Sequence, residues 1–373
     1  MQVTKIYKGL TLAVCIFFSL SLLAQERKIE LPLSSNKIEC VHIDNRGLIW
    51  LGTEEGLNIY NRETVNSFYS NIVDSTSLLN SEIFRIQHLA GDTVIAFSKN
   101  GLNVFNPYGF NFSRIITKSA PVALIKDLSN NDYWLTTQNN GVLHFSQSLK
   151  SLKPLEYDPL NPLSISSAKF NSNQRDIVNT SSSQLILIGT INGFNVFDRT
   201  QKTVRRFFKK SGSYLLSNEI NDIEPLNANN LFLVATSGGL NVFDTKNNQF
   251  AKDVLFENQK VVDIAKVDSQ SFLVLTETSL CKLSLLPNGS FGPIQIISTN
   301  KSYADAHFCF GKKEIFIWAP NQSSFIQYNK ISGTTNELST KNNIYMRIFL
   351  AAMLLIIAGN IYATDYYFAS TGS

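Results

Sequence analysis

The sequence predicts an all-β fold, a seven-bladed β-propeller closed by a C-terminal helix that crosses the membrane. Three observations predict the β part. A five-residue segment recurs: Gly56-Leu57-Asn58-Ile59-Tyr60, Gly101-Leu102-Asn103-Val104-Phe105, Gly193-Phe194-Asn195-Val196-Phe197 and Gly239-Leu240-Asn241-Val242-Phe243. Weaker copies start at Gly141, Ser279 and Ser324. The second residues fall at 57, 102, 142, 194, 240, 280 and 325, giving spacings of 45, 40, 52, 46, 40 and 45. A period of about 40 to 50 residues is that of one four-stranded propeller blade. Finally, each copy follows a second element: Trp50-Leu51-Gly52-Thr53, Ile95-Ala96-Phe97-Ser98, Trp134-Leu135-Thr136-Thr137, Leu187-Ile188-Gly189-Thr190, Leu233-Val234-Ala235-Thr236, Leu273-Val274-Leu275-Thr276 and Phe316-Ile317-Trp318-Ala319.

Taken in order, the first element is a targeting segment. Lys5 and Lys8 precede an apolar run that ends at Ala24, the layout of a signal peptide over residues 1–24. An uncleaved anchor is the alternative. The repeats occupy residues 29–338. Each offers an upstream apolar strand such as Ile38–Ile43, the Gly-Thr strand, the Gly-Leu strand and a downstream strand such as Thr64–Tyr69. The Gly-Thr closes the second strand where blades approach closely; the following Gly-Leu turns the chain and inserts Leu between blades. The 52-residue interval carries an insertion around Tyr157–Pro162. A β-sandwich with chance similarity would not give seven ordered copies, and a helical solenoid would not be β-rich.

After the repeats, residues 344–362 read as a membrane helix, with Arg347 snorkelling and Tyr345 and Tyr362 at the interfaces. Residues 363–373 form a short tail. The charge flanks oppose this orientation. Two other readings stay open: a helix packed on the propeller, or a second signal-peptide layout produced by a mis-joined gene.

Hydrophobic content of 44% against 17% charged residues supports a sizeable packed core. The net charge is +4 with scattered basic residues, so nothing makes the footprint of a nucleic-acid binder. Cys40, Cys281 and Cys309 beyond the leader are an odd set, which reads as core thiols rather than a disulfide framework.

The pattern of Asp44, Gly47, Trp50, Gly52, Thr53, Gly56, Leu57 and Tyr60 resembles the two-component regulator propeller repeat. Leu33–Ile38, Leu79–Ile83 and Leu216–Ile220 resemble that repeat's lead-in to the innermost strand. The resemblance implies the exported sensor part of a hybrid histidine kinase that recognises an oligosaccharide. The family usually joins two propellers, an immunoglobulin-like domain, a membrane helix and kinase modules. This chain departs from that plan, with one propeller and no phosphoacceptor or nucleotide-binding motif. The expectation is a periplasmic sensor propeller anchored in the inner membrane, with a signalling partner and without its own kinase domain. The alternatives are a propeller hydrolase or lyase acting on polysaccharide, and a periplasmic interaction scaffold.

No catalytic, cofactor-binding or metal-ligating residue is assigned, the chain is expected not to be an enzyme, and no cofactor is called for. His42, His88 and His307 fall in apparent inner strands, but their offsets from the Gly-Thr element differ, so they need not share a face; His144 is the fourth histidine. Asp44, Asp198 and Asp244 sit at repeat turns, where Asp bonds its own backbone. Loops holding Tyr108 and Phe110, or Tyr133 beside Trp134, suit a sugar ring. Trp50 and Trp134 occupy equivalent repeat positions and read as core. The ligand-binding residues stay unknown.

Overall fold

In the computed structural model the chain is described over residues 32–339, apart from 36, 45, 62, 89–92, 172–175, 181–183, 227–229, 300–302, 305, 311–313 and 319–323. Among the described residues there are seven antiparallel sheets, six of four strands and one of three. Sheet 1 holds β1 (Ile38–Ile43), β2 (Ile49–Thr53), β3 (Leu57–Tyr60) and β4 (Val65–Phe68). Sheet 2 holds β5 (Ile83–His88), β6 (Val94–Ser98), β7 (Gly101–Asn106) and β8 (Asn111–Ile116). Sheet 3 holds only β9 (Pro121–Lys126), β10 (Tyr133–Thr137) and β11 (Val142–Phe145).

Sheet 4 is β12 (Ile177–Asn179), β13 (Leu185–Thr190), β14 (Gly193–Asp198) and β15 (Thr203–Phe207). Sheet 5 is β16 (Ile220–Pro225), β17 (Leu231–Thr236), β18 (Gly239–Asp244) and β19 (Gln249–Leu255). Sheet 6 is β20 (Val261–Lys266), β21 (Ser271–Thr276), β22 (Ser279–Ser284) and β23 (Gln295–Thr299). Sheet 7 is β24 (His307–Phe310), β25 (Glu314–Trp318), β26 (Ser324–Asn329) and β27 (Thr335–Ser339).

Each sheet meets the next, and β24 of the last sheet meets β1 of the first, so the sheets close a ring with their first strands innermost. Six apolar clusters fill seams between neighbouring sheets. The residue after each repeat Gly lies in these seams. Leu57, Leu102, Val142, Phe194, Leu240 and Leu280 are all buried, each contributing about 2 kcal/mol on burial. Trp50 and Trp134 are buried in the same way, as their repeat positions predict.

The Gly-Thr element has two jobs. A Cβ on Gly52 would lie 2.4 Å from Cys40 Sγ and 2.7 Å from the Ile83 carbonyl oxygen of the next sheet; on Gly189 it would lie 2.4 Å from Ile220. Only glycine lets these sheets approach so closely. The Thr then locks the hairpin. Thr53, Thr137, Thr190 and Thr236 each donate Oγ1–H to the carbonyl of the following repeat Gly, at 2.8 to 2.9 Å.

The repeat Asn has a job the spacing does not reveal. Asn58, Asn103, Asn195 and Asn241 are fully buried. Their Oδ1 atoms accept the backbone N–H of Ser34, Leu79, Ser166 and Leu216, the lead-in to each sheet's first strand. Buried amides must be partnered, and this one is partnered by the incoming chain. Sheets 3 and 6 carry Leu143 and Cys281 at that position.

Sheet 3 lacks its fourth strand. Isolated bridges Phe145–Ser151 and Val142–Leu155 stand in its place, with Pro154 between them. Proline has no N–H to extend a ladder. The insertion that follows is held by Arg206, which donates to the carbonyls of Asp158, Asn161 and Ser164. Arg114 grips the loop between sheets 1 and 2 in the same way, through Asn71, Asp74 and Ser77.

The leader and the segment 344–362 lie outside the described residues. Among the described residues no helix is long and apolar enough to cross a membrane.

Candidate functional site

An innermost strand has one free edge, whose backbone groups need partners. Here side chains of neighbouring sheets supply several of them. The pairing registers align Cys40 with Gly52, Arg85 with Phe97, Asp222 with Ala235, Asp263 with Leu275 and His307 with Trp318, one equivalent position after a register shift in β1, β5, β16 and β20. From this position Cys40 Sγ reaches the Ile83 carbonyl at 3.6 Å and Arg85 donates to the Val122 carbonyl at 2.9 Å. Asp222 accepts the N–H of Ile264 at 3.0 Å, and Asp263 that of Phe308 at 3.1 Å. Gln87, two residues beyond Arg85, donates its amide to the Leu124 carbonyl. Every one of these bonds runs from one sheet to the next.

The wall they make is uneven. β16 and β20 are buried along five of their six residues, whereas β1 and β5 are half-buried after their first residue. The open wall also has spare polar atoms. His42 Nε2, His88 Nε2 and Gln87 Oε1 are buried atoms without a hydrogen-bond partner among the described residues. So is Asp176 Oδ2, on a residue 1% exposed just before β12.

Electrostatics follows from this burial. Burial is the main cause that brings His42 down to about 4, helped by the facing His88 and opposed by Asp44. Burial, then the Arg85 cation, brings His307 to about 4 as well, with Asp263 Oδ2 4.0 Å from its Nδ1. Burial pushes the Asp176 carboxyl well above the carboxylate range, against the 2.8 Å hydrogen bond from Thr136 and the attraction of Arg85. The centre of the ring therefore holds neutral imidazoles and a carboxyl group that favours its proton, beside the Arg85 cation.

His42 and His88 come together without sharing a face, which the difference in their offsets leaves open. His42 shares its face of β1 with Cys40 and looks toward sheet 2. His88 is one register position further along β5 than His42 is along β1, so it lies on the opposite face and looks back toward sheet 1. Opposite parity on neighbouring sheets brings the two side chains together, the rings tilted at 46° with centroids 6.1 Å apart. His307 stands on β24, at the register that Cys40 occupies on β1.

The remaining sequence candidates are structural or scattered. Asp44 accepts the N–H of Arg46 and Leu48 and the indole N–H of Trp50, at 2.9 to 3.2 Å. Asp127 does the same for Trp134 at 2.9 Å. Asp198 and Asp244 cap turns through the N–H groups of residues two and three further on. Tyr108 is 98% exposed, and Phe110 beside it packs edge-on against Phe105. Tyr133 is half-buried on β10. His144 stacks on Trp134 at 3.8 Å with its Nε2 3.0 Å from Asp132. Cys281 is buried and Cys40 half-buried. Among the described residues no group of three or more His, Cys, Asp or Glu side chains is arranged to hold a metal ion.

No protein-family model and no curated protein matches this chain. Solved structures do. Virginiamycin B lyase from Staphylococcus aureus matches at 12% identity and a TM-score of 0.54, covering 77% of this chain and 93% of the lyase. A streptogramin B lyase matches at 11% identity and a TM-score of 0.52, over 78% and 93%. The extracellular domain assigned to a hybrid two-component system of B. thetaiotaomicron matches at 16% identity and a TM-score of 0.49, covering 83% of this chain and 52% of that one. The chain thus spans about half the length of that extracellular domain. At such identities the likeness is one of fold.

The expectation that the chain is not an enzyme needs correcting, because the same fold carries a lyase. The absence of a sequence motif was a poor guide for a physical reason. A site assembled from several innermost strands would take one or two residues from each, so it would leave no local signature.

Proposed function

We propose that the chain is the ligand-binding propeller of an exported sensor, its seven sheets serving as seven blades, and that it takes an oligosaccharide at the open wall formed by β1 and β5. The observation that carries this reading is the unspent hydrogen-bonding capacity there, the Nε2 atoms of His42 and His88 and Oε1 of Gln87. A buried polar atom without a partner is costly and is retained where a ligand satisfies it. Sugar hydroxyls both donate and accept, which suits imidazole nitrogens and an amide oxygen together. The resemblance of the repeats to the two-component regulator propeller supports the sensor role and a signalling partner. On this reading residues 1–24 export the chain to the periplasm and residues 344–362 hold it at the inner membrane.

A polysaccharide lyase is the second reading, favoured by the fold shared with virginiamycin B lyase. Calorimetric titration of the protein with a panel of oligosaccharides, with product analysis in the same tubes, separates the two. Saturable binding without new product supports the sensor. Turnover establishes the lyase, and no binding across the panel overturns both.

A further inference from the structure

We propose that His42 and His88 form a metal site of their own, a two-imidazole clip at the seam of sheets 1 and 2 that takes one Zn(II) or Cu(I) ion. This rests on the geometry of the pair; an ion bound there would occupy both Nε2 atoms, and a glycan at the open wall would then meet Gln87 Oε1 and the ion's remaining positions instead.

The spacing fits. An imidazole nitrogen binds these metals at about 2.0–2.1 Å and lies about 1.1 Å from its ring centre, so two rings on one ion have centroids roughly 5 to 6.5 Å apart as the angle opens from tetrahedral to linear. The observed separation is 6.1 Å, with the planes at 46°. The Nε2 atoms of both rings are buried and without a hydrogen-bond partner among the described residues. His144 differs, with Asp132 at 3.0 Å; His307 also keeps an unpartnered Nδ1, with Asp263 at 4.0 Å, but has no second histidine ring facing it among the described residues. A histidine kept only to fill a seam would be satisfied as His144 is or replaced by an apolar residue, as Val41 and Ile86 fill the same strands.

The donors also select the ion. Two neutral imidazoles without a carboxylate offer little to Mg(II) or Ca(II), which take oxygen ligands. Imidazole suits Zn and Cu. Two protein donors leave the remaining coordination positions to water or to a ligand entering the ring.

The test uses tag-free protein stripped of metal and titrated at pH 7 with Zn(II), and anaerobically with Cu(I). One equivalent of at least one ion should bind, at least tenfold more weakly in His42→Ala and in His88→Ala and unchanged in His144→Ala. Should an alanine variant fail to fold, histidine side-chain nitrogen NMR on the unaltered protein decides. The Nε2 resonances of His42 and His88 should move with metal while those of His144 stay. Failure of both ions to bind stoichiometrically, or binding that survives in both alanine variants or moves His144 instead, overturns the proposal.

Discussion

The two sides of the ring's centre use the same strand position in different ways. On sheets 5 and 6, Asp222 and Asp263 bind the backbone N–H of the next sheet's first strand, and the strands around them are buried. On sheets 1 and 2, Cys40 and Arg85 make the corresponding ties to carbonyls, yet the strands stay half-buried and His42, Gln87 and His88 keep polar atoms in reserve. One wall is buried along its strands. The other is held together and still has bonding capacity to spend, which is what a binding surface requires.

The largest expected break in this comparison comes from acid. His42 and His307 titrate at about 4 in the folded chain against roughly 6.5 unfolded, so the unfolded chain binds protons more readily. Their contribution is complete above the unfolded value and is lost as pH falls through the folded one. Urea melts between pH 7 and 4 should lose up to roughly 3 kcal/mol per ring, and His42→Gln should remove its share of the slope. Asp176 has the opposite sign. Its raised folded pKa gives a contribution present below the unfolded carboxylate range and lost as pH rises, so Asp176→Asn should raise the urea midpoint at pH 7.

Next in size is the closed wall itself. Asp222→Ala removes one of the two carboxylates that accept from the buried Ile264 N–H, leaving Asp263 Oδ1 at 2.8 Å, and should cost about 1.5–3 kcal/mol in urea denaturation through the lost charged hydrogen bond. His88→Ala on the open wall should cost under about 1 kcal/mol, since its Nε2 makes no bond to lose. Equal losses would erase the distinction between the walls.

A smaller effect concerns the lead-ins. Asn241→Ala strands the N–H of Leu216 and should cost about 1–2 kcal/mol. Leu143→Asn in sheet 3 should gain nothing, because no lead-in of that kind precedes β9.

The fold was legible because its signals are local and repeated. Gly52, Thr53 and Leu57 each act within a turn or against the adjoining sheet, so their spacing carries the architecture. The missing strand of sheet 3 was not legible as such, since Pro154 and the insertion after it look like an ordinary long interval. The repeat Asn was visible, but its role depends on a lead-in 24 to 29 residues upstream in the chain. The centre of the ring was least legible. Register shifts before Cys40, Arg85, Asp222 and Asp263 break any count from the Gly-Thr element. Facing residues such as His42 and His88 come from different sheets, so offsets compared within the repeat do not say whether they meet.

The most direct test of the open wall as the ligand site is to follow histidine ring resonances during titration with oligosaccharides that bind in calorimetry. The account predicts that His42 and His88 shift and saturate together with the calorimetric isotherm while His144 does not move. Saturable binding that leaves both His42 and His88 unshifted would contradict it.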